Sequence, residues 1–301
     1  MGCVVNLNKP LNISSRKAVS EVRKILKSKK AGHAGTLDPL AEGVLLVCID
    51  EATKISGFLS GLDKEYLATI RLGQATDTFD SEGNILSEND ASGITFADVE
   101  SVITKFDGDV MQVPPMFSAI KVKGKPLYKL ARKGHVVERQ PRKVHIAGID
   151  IIDFTSPVLK VRIACSKGTY IRSIANDIGH LLGVGAHLGG LKRIRVGRFR
   201  IDDSVNMIPD DIKNNLMSMD SALSTMREVT LTDDAALKLR NGVPVQCSGV
   251  SILNFEALCD SEKSGLFRLK NKAGELFAIG KIRDGVVKTE RVFLAKPKET
   301  F

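Results

Sequence analysis

The chain has 301 residues, 43% of them hydrophobic, with 44 Lys and Arg against 35 Asp and Glu and a formal net charge of +9. This length holds one large domain with a small one beside it, and the apolar content supports a real core. The basic excess points to a polyanionic partner, nucleic acid first, with a merely soluble basic protein as the plain alternative.

The opening Met1-Gly2-Cys3-Val4-Val5-Asn6 lacks the basic stretch and long apolar run of a secretory signal, and Asn6 stands where myristoylation needs Ser or Thr. Residues 2–7 predict a short strand that Asn8-Lys9-Pro10 breaks. Ser14 or Ser15 can cap a helix reaching about Lys29, with Val19, Val22, Ile25 and Leu26 on one face. The other face carries Arg16, Lys17, Arg23, Lys24 and Lys27, offset only by Glu21, which suits a phosphate-facing surface better than an ordinary solvated one. Residues 31–42 read as a loop punctuated by Gly and Pro, and 43–49 as a buried strand. Residues 51–59 suit a short helix, and 65–72 alternate, with Tyr66, Ala68, Ile70 and Leu72 on one face.

Residues 73–83 are polar and turn-rich. Thr95 and Asp98 have capping-box spacing, followed by a helical stripe of Phe96, Val99, Val102, Ile103 and Phe106. Residues 112–142 read as a partly helical, basic excursion from the sheet. Residues 144–154 and 158–165 predict strands, and 170–182 a helix with Ile171, Ile174, Ile178 and Leu181 inward. A loop over 183–190 leads to the basic run Lys192-Arg193-Ile194-Arg195-Val196-Gly197-Arg198. Residues 208–228 mark a boundary, and short strands at 265–269, 276–282, 286–287 and 291–293 make 229–301 a small β-rich module. No regular βαβ alternation runs through 1–228, so the large domain is α+β, with a mainly antiparallel mixed sheet flanked by helices.

The five cysteines, Cys3, Cys48, Cys165, Cys247 and Cys259, are far apart and form no C-x-x-C pair. They fit free thiols in a reducing cytoplasm. The five His form no metal-binding cluster, and no apolar run reaches the roughly 18–20 residues that span a bilayer. Gly183-Val184-Gly185 lacks the third glycine and the βαβ frame of a dinucleotide loop, so neither a metal nor a cofactor is expected.

Chemistry concentrates at Gly32-His33-Ala34-Gly35-Thr36-Leu37-Asp38-Pro39. Pro39 holds Asp38 extended, and the glycines allow close approach of backbone or ligand. A plain Asp-Pro turn is the commoner explanation of such a dipeptide alone. A preceding basic helix, a following buried strand, and Arg172 and Tyr66 as partners favour a site.

The block from Lys30 to Ile49 resembles the catalytic motif of the TruB family of tRNA pseudouridine synthases. Matching blocks follow in family order: Asn8-Lys9-Pro10, Glu51-Ala52-Thr53-Lys54, Lys64-Glu65-Tyr66, Arg71-Leu72-Gly73 through Asp80, Pro114-Pro115-Met116-Phe117-Ser118-Ala119, Ser166-Lys167-Gly168-Thr169-Tyr170-Ile171-Arg172, and Leu191-Lys192-Arg193 through Gly197. Each is weak alone, whereas the ordered set is highly specific. Ala34 and Glu42 are small departures from the motif.

The resemblance implies the pseudouridine synthase fold over 1–228, a thumb-like insertion at about 112–142, and a PUA-like RNA-binding module over 229–301. It implies isomerisation of the uridine at position 55, in the T loop of tRNA, to pseudouridine. The base is flipped out, detached from C1′, turned and rejoined through C5, without metal or cofactor. Asp38 is then the nucleophile or the stabiliser of sugar charge, and Arg172 pairs with it. Tyr66 stacks on the base and is the candidate to help remove the C5 proton. Tyr170 and Leu191 wall the pocket, and His33 stacks on the RNA. Lys9, Lys54 and Asp80 are further binding or positioning residues. The basic segments 16–30, 121–143 and 192–200 supply phosphate contacts. The expected partner is the T stem-loop of tRNA, bound by a cytoplasmic monomer with no membrane association. The alternatives are an RNA-binding or tRNA-folding protein on the same scaffold, or a synthase with a different RNA target. A glycoside hydrolase would need two flanking carboxylates where the motif supplies one.

Overall fold

A computed structural model describes residues 2–118, 120–122, 124–131, 134–135, 137–247, 252 and 265–293. Ala119, Cys259 and parts of the basic excursion, all named above, lie outside the described residues.

Strand β1 (Cys3–Lys9) does not stop at Asn8, because the Asn8 amide donates to Val205 O at 2.8 Å and Lys9 is buried. Helix α1 (Ser15–Ile25) starts at Ser14, whose hydroxyl accepts from Lys17 N at 3.2 Å. It ends short of the predicted Lys29, where Lys27 takes a left-handed φ of 49°. The predicted loop over 31–42 is partly strand: β2 (Ala31–Ala34) pairs antiparallel with β3 (Ala41–Ile49). A 3-10 turn (Asp50–Ile55) and α2 (Ser56–Ser60) lead to β4 (Lys64–Leu72), which buries Tyr66, Ala68, Ile70 and Leu72 as alternation requires.

The turn-rich stretch contains a hairpin, β5 (Gln74–Thr76) with β6 (Ile85–Glu88). Helix α3 (Phe96–Ile103) opens on a complete Thr95–Asp98 capping box. Val99, Val102, Ile103 and Phe106 of its stripe are buried, whereas Phe96 is 53% exposed. Then come β7 (Gly108–Gln112), β8 (Lys121–Val122), β9 (Lys125–Pro126) and α4 (Leu127–Ala131), the last three within the basic excursion. The long pair β10 (Arg142–Thr155) and β11 (Val158–Cys165) precedes α5 (Ile171–Leu181), where Leu181 faces outward, against expectation.

The largest difference lies at β12 (Ala186–Val196), which absorbs half of a predicted loop and most of a predicted basic surface. Loop geometry is confined to Gly183 and Gly185, both at positive φ. After β13 (Phe199–Arg200) and α6 (Pro209–Asn214), β14 (Met217–Ser218) pairs with β1, so this Met-containing stretch belongs to the large sheet; α7 (Met219–Ala222) follows.

The ten-stranded sheet has the order β14-β1-β3-β12-β4-β11-β10-β7, with β2 added on β3 and β13 on β12. Neighbours are antiparallel except β3 and β12. On one face Val5, Leu45 and Val47 pack with Val22 of α1, Val99 of α3 and Ile174 of α5. On the other, Val4, Leu46 and Cys48 pack with Ile55, Leu59 and Phe199. Burial on both faces explains the unbroken apolar run of β3.

The C-terminal region holds β15 (Glu228–Thr230), α8 (Asp233–Arg240), β16 (Val245–Gln246), β17 (Gly265–Lys270), β18 (Leu276–Arg283) and β19 (Val286–Val292). Its sheet runs β15-β17-β18-β19-β16 around Leu231, Phe267, Phe277 and Val287. One continuous strand, β19, replaces the two short ones expected at 286–287 and 291–293.

Candidate active site

Residues 35–40 connect β2 to β3 and carry Asp38. Gly35, at φ 95°, turns the chain out of β2. Ser15, at the start of α1, brackets Leu37: its hydroxyl donates to Leu37 O and accepts from Leu37 N, both at 2.8 Å. Beyond Asp38, Asn12 N donates to Pro39 O and Ala41 N to Asp38 O. Leu37 and Leu40 anchor in the core. The Asp38 backbone is thus held from both sides, while its side chain stays 41% exposed to a cavity.

Arg172 approaches from the first turn of α5, with Nη2 3.0 Å from Asp38 Oδ2 and Nη1 3.3 Å from Asp80 Oδ2. The same nitrogens donate to Phe117 O and Thr78 O. Asp80, only 4% exposed at its side chain, also accepts from the Thr78 hydroxyl and Glu82 N. A guanidinium this buried needs such saturation, and two carboxylates and two carbonyls fix its plane.

The cavity measures about 540 Å³, within the span of roughly 300–1,000 Å³ usual for small-molecule sites. Tyr66, Asp80, Tyr170, Arg172 and Leu191 line it with Asp38, so the structure brings these six predicted residues together. The Tyr170 backbone is clamped by the buried amide of Gln112, which accepts from Tyr170 N at 2.8 Å and donates to Tyr170 O at 3.0 Å.

Three predicted residues sit apart from the lining. Lys9 lies fully buried, donating to Pro10 O and Ile13 O at 2.8 Å; burial lowers its ammonium to about 8, against the pull of Asp38. His33 is half-buried on β2; burial pushes its imidazole below the usual range, and Nδ1 has no hydrogen-bond partner among the described residues. Lys54 pairs with Glu51 at 2.8 Å and donates to Val292 O of β19, facing the C-terminal sheet rather than the cavity.

Two lining cations were not predicted as site residues. Lys64 is buried at the head of β4, donates to Ser60 O and Leu62 O, and is lowered by burial to about 8. Arg193, 1% exposed, donates to Val44 O at 2.7 Å, Gly35 O at 3.0 Å and Thr36 O at 3.3 Å. It lay in a run expected to face phosphates, and Arg195 of the same run is tied to Glu65 at 2.8 Å. A sequence signal for Arg193 existed only indirectly, in Gly43: a Cβ there would lie 2.3 Å from Arg193 O.

The whole sheet has counterparts among solved structures. It matches the structure described as a Cbf5-Nop10-Gar1 complex with a TM-score of 0.74 and 26% identity, covering 97% of this chain and 85% of that one. A second, an H/ACA RNP bound to a substrate RNA containing 2′-deoxyuridine, matches with a TM-score of 0.72 at 23% identity, over 97% and 85%. The mixed sheet and its flanking helices are the fold of those two structures, and membership of the pseudouridine synthases follows from matches in sequence.

The model of the TruB family pseudouridylate synthase N-terminal domain matches residues 23–171, and that of the tRNA pseudouridylate synthase B C-terminal domain matches 172–238. The tRNA pseudouridine synthase B of Clostridium tetani is 43% identical over 82% of this chain and 86% of its own. That of Clostridium kluyveri is 39% identical over 98% and 100%. The chain belongs to the TruB family.

Proposed function

We propose that the enzyme acts on the uridine at position 55, in the T loop of tRNA, with Asp38 as its catalytic carboxylate. That its reaction turns a tRNA uridine into pseudouridine rests on the family and its relatives. The single observation carrying the residue assignment is the 3.0 Å pair between Arg172 Nη2 and Asp38 Oδ2 at the wall of a cavity that also holds Tyr66.

The geometry supports the following course. The base leaves its stack at a cost of a few kcal/mol, met by contacts elsewhere on the RNA. The ionised Asp38 carboxylate, oriented by Arg172, faces the sugar and attacks or stabilises the charge developed there. Asp80 holds Arg172 from the far side. Tyr66, Tyr170 and Leu191 enclose the ring while it turns, and Tyr66 takes the C5 proton after the new bond forms. His33 stacks on the RNA outside the cavity, and Lys9 acts on Asp38 by its charge. Lys54, as placed, braces the C-terminal sheet. Residues 229–301 form an RNA-binding module, the insertion at about 112–142 closes over the stem-loop, and one copy of the chain suffices. Among the described residues no helix is long and apolar enough to cross a membrane.

The test uses a T stem-loop RNA with tritium at uridine C5. The wild-type protein is expected to release tritium, and Asp38→Ala to release none while still binding the RNA. Equal release from the variant would sink the role of Asp38. Release from other RNAs but not from this one would move the target.

A further inference from the structure

We propose that Arg193 is a positioning residue that holds the Tyr66 side chain as a proton acceptor, by placing a buried, carboxylate-free guanidinium beside it on the neighbouring strand. The inference rests on the reading of Tyr66 above and extends it to a residue that reading does not use.

The register sets the geometry. β12 runs between β3 and β4, and Arg193 is paired with Gly43 on one side and Tyr66 on the other. Gly43 is required there, since any Cβ would strike the Arg193 backbone. Three of the five guanidinium N–H groups serve the carbonyls of Gly35, Thr36 and Val44. Directly opposed residues on neighbouring strands share a face, and Arg193 and Tyr66 both line the cavity. Among the described residues no carboxylate forms an ion pair with Arg193, unlike Arg172, Arg195 and Arg268. A full charge buried among neutral acceptors is costly, and a neutral donor would serve carbonyls at lower cost. The charge has a use only beside a group that becomes an anion.

The groups facing Tyr66 bear this out. Cys165 on β11 and Asp38 on the loop oppose ionisation of the phenol, as burial does, and Arg193 on β12 favours it. Burial lowers the ammonium groups of Lys64, from β4 itself, and of Lys9, and the Arg193 charge adds to that lowering in both. In the step served, the C5–H bond breaks and its electron pair forms the C5–C6 double bond, the C6–N1 π pair returns to N1, which takes a proton from water, and the C5 proton passes to the ionised Tyr66 oxygen.

The experiment follows tyrosinate absorbance and single-turnover tritium release against pH in wild type, Arg193→Gln, Arg193→Lys and Tyr66→Phe. The chain has three tyrosines, so the Tyr66→Phe difference assigns the Tyr66 titration. Arg193→Gln is expected to move that titration and the rising limb of the release profile to higher pH together. Release near neutral pH should fall on the order of 10²-fold, with RNA affinity unchanged. Arg193→Lys, which keeps the charge, is expected to restore both profiles, and it carries the test should the Gln variant not fold. Adding Arg193→Gln to Tyr66→Phe should cost nothing further. Slower release with an unmoved Tyr66 titration, or an equal loss on the Tyr66→Phe background, would make Arg193 a strut and overturn the proposal. Wild-type release by Tyr66→Phe would instead remove the role of Tyr66 itself.

Discussion

Arg172 is shared by two carboxylates of unequal exposure, and the inequality suggests a division of labour. Asp38 is 41% exposed to the cavity, whereas Asp80, at its wall, is 4% exposed and turned onto the guanidinium. Asp80→Asn keeps the shape and removes one charge from the buried pair. Breaking a buried pair costs about 3–5 kcal/mol. Urea unfolding should show a loss of that order, and tritium release should slow with RNA affinity kept. A wild-type rate would mean that Arg172 needs only Asp38. Lys64 gives a second expectation. Its folded value of about 8 lies below the 10.5 of a free lysine, so the unfolded chain binds more protons between those values. Its stabilising contribution is therefore fullest above 10.5 and is lost as pH falls through 8. The unfolding free energy of wild type relative to Lys64→Met should rise from about pH 7 to about pH 10, and a flat difference would contradict the buried cation. At this scale Asp38, Tyr66 and Arg172 were legible because ordered motif blocks marked them. Arg193 and Lys64 were not, since a basic residue in a basic run looks the same whether it meets solvent or carbonyls.

The same ambiguity governs the elements. β3 and β4 were readable because burial imposes either a continuous apolar run or a two-residue alternation. β12 was not: two β-bulges against β4 break its alternation, and its buried positions include His187 and Arg193. β2 was hidden for another reason, since four small or half-buried residues carry no strand pattern and form a strand only by pairing with β3. The connection between α1 and the Asp38 loop was equally silent in sequence, yet it is the tightest local device in the site. Ser15 makes two buried hydrogen bonds to Leu37, next to Asp38. Ser15→Ala leaves a buried donor and acceptor unpaired, a loss of about 1–3 kcal/mol. It should also let Asp38 wander, so single-turnover release should fall while RNA affinity stays. A parallel fall in both would show that Ser15 supports RNA binding and not the aspartate.

Across the whole molecule, the two sheets are joined by packing and charge. Ile279 and Phe293 sit in the same apolar cluster as Val4, Cys48 and Phe199, and Arg268 and Lys270 of β17 meet Asp220 of α7. The composition foretold a basic protein but not which basic residues face outward. The structure divides them. Arg16, Lys17, Arg23, Lys27 and Lys29 are exposed on or just beyond α1, the helix whose Ser15 touches the Asp38 loop, and Lys24 is tied to Glu21. In the segment 192–200, Arg193 is interior, Lys192 meets Glu42 and Arg195 meets Glu65. Phosphate contacts release counterions, so each contact contributes about 0.7–0.9 to the slope of log affinity against log salt. Replacing Arg16 and Lys17 together by Gln should lower that slope by up to about two such contributions and weaken binding of every stem-loop alike. Arg195→Gln should leave the slope as it is, because its charge is already spent on Glu65. Measuring the three proteins between low and moderate salt decides the matter. A slope that falls with Arg195→Gln and not with the α1 pair would place the phosphate contacts at β12 and not at α1.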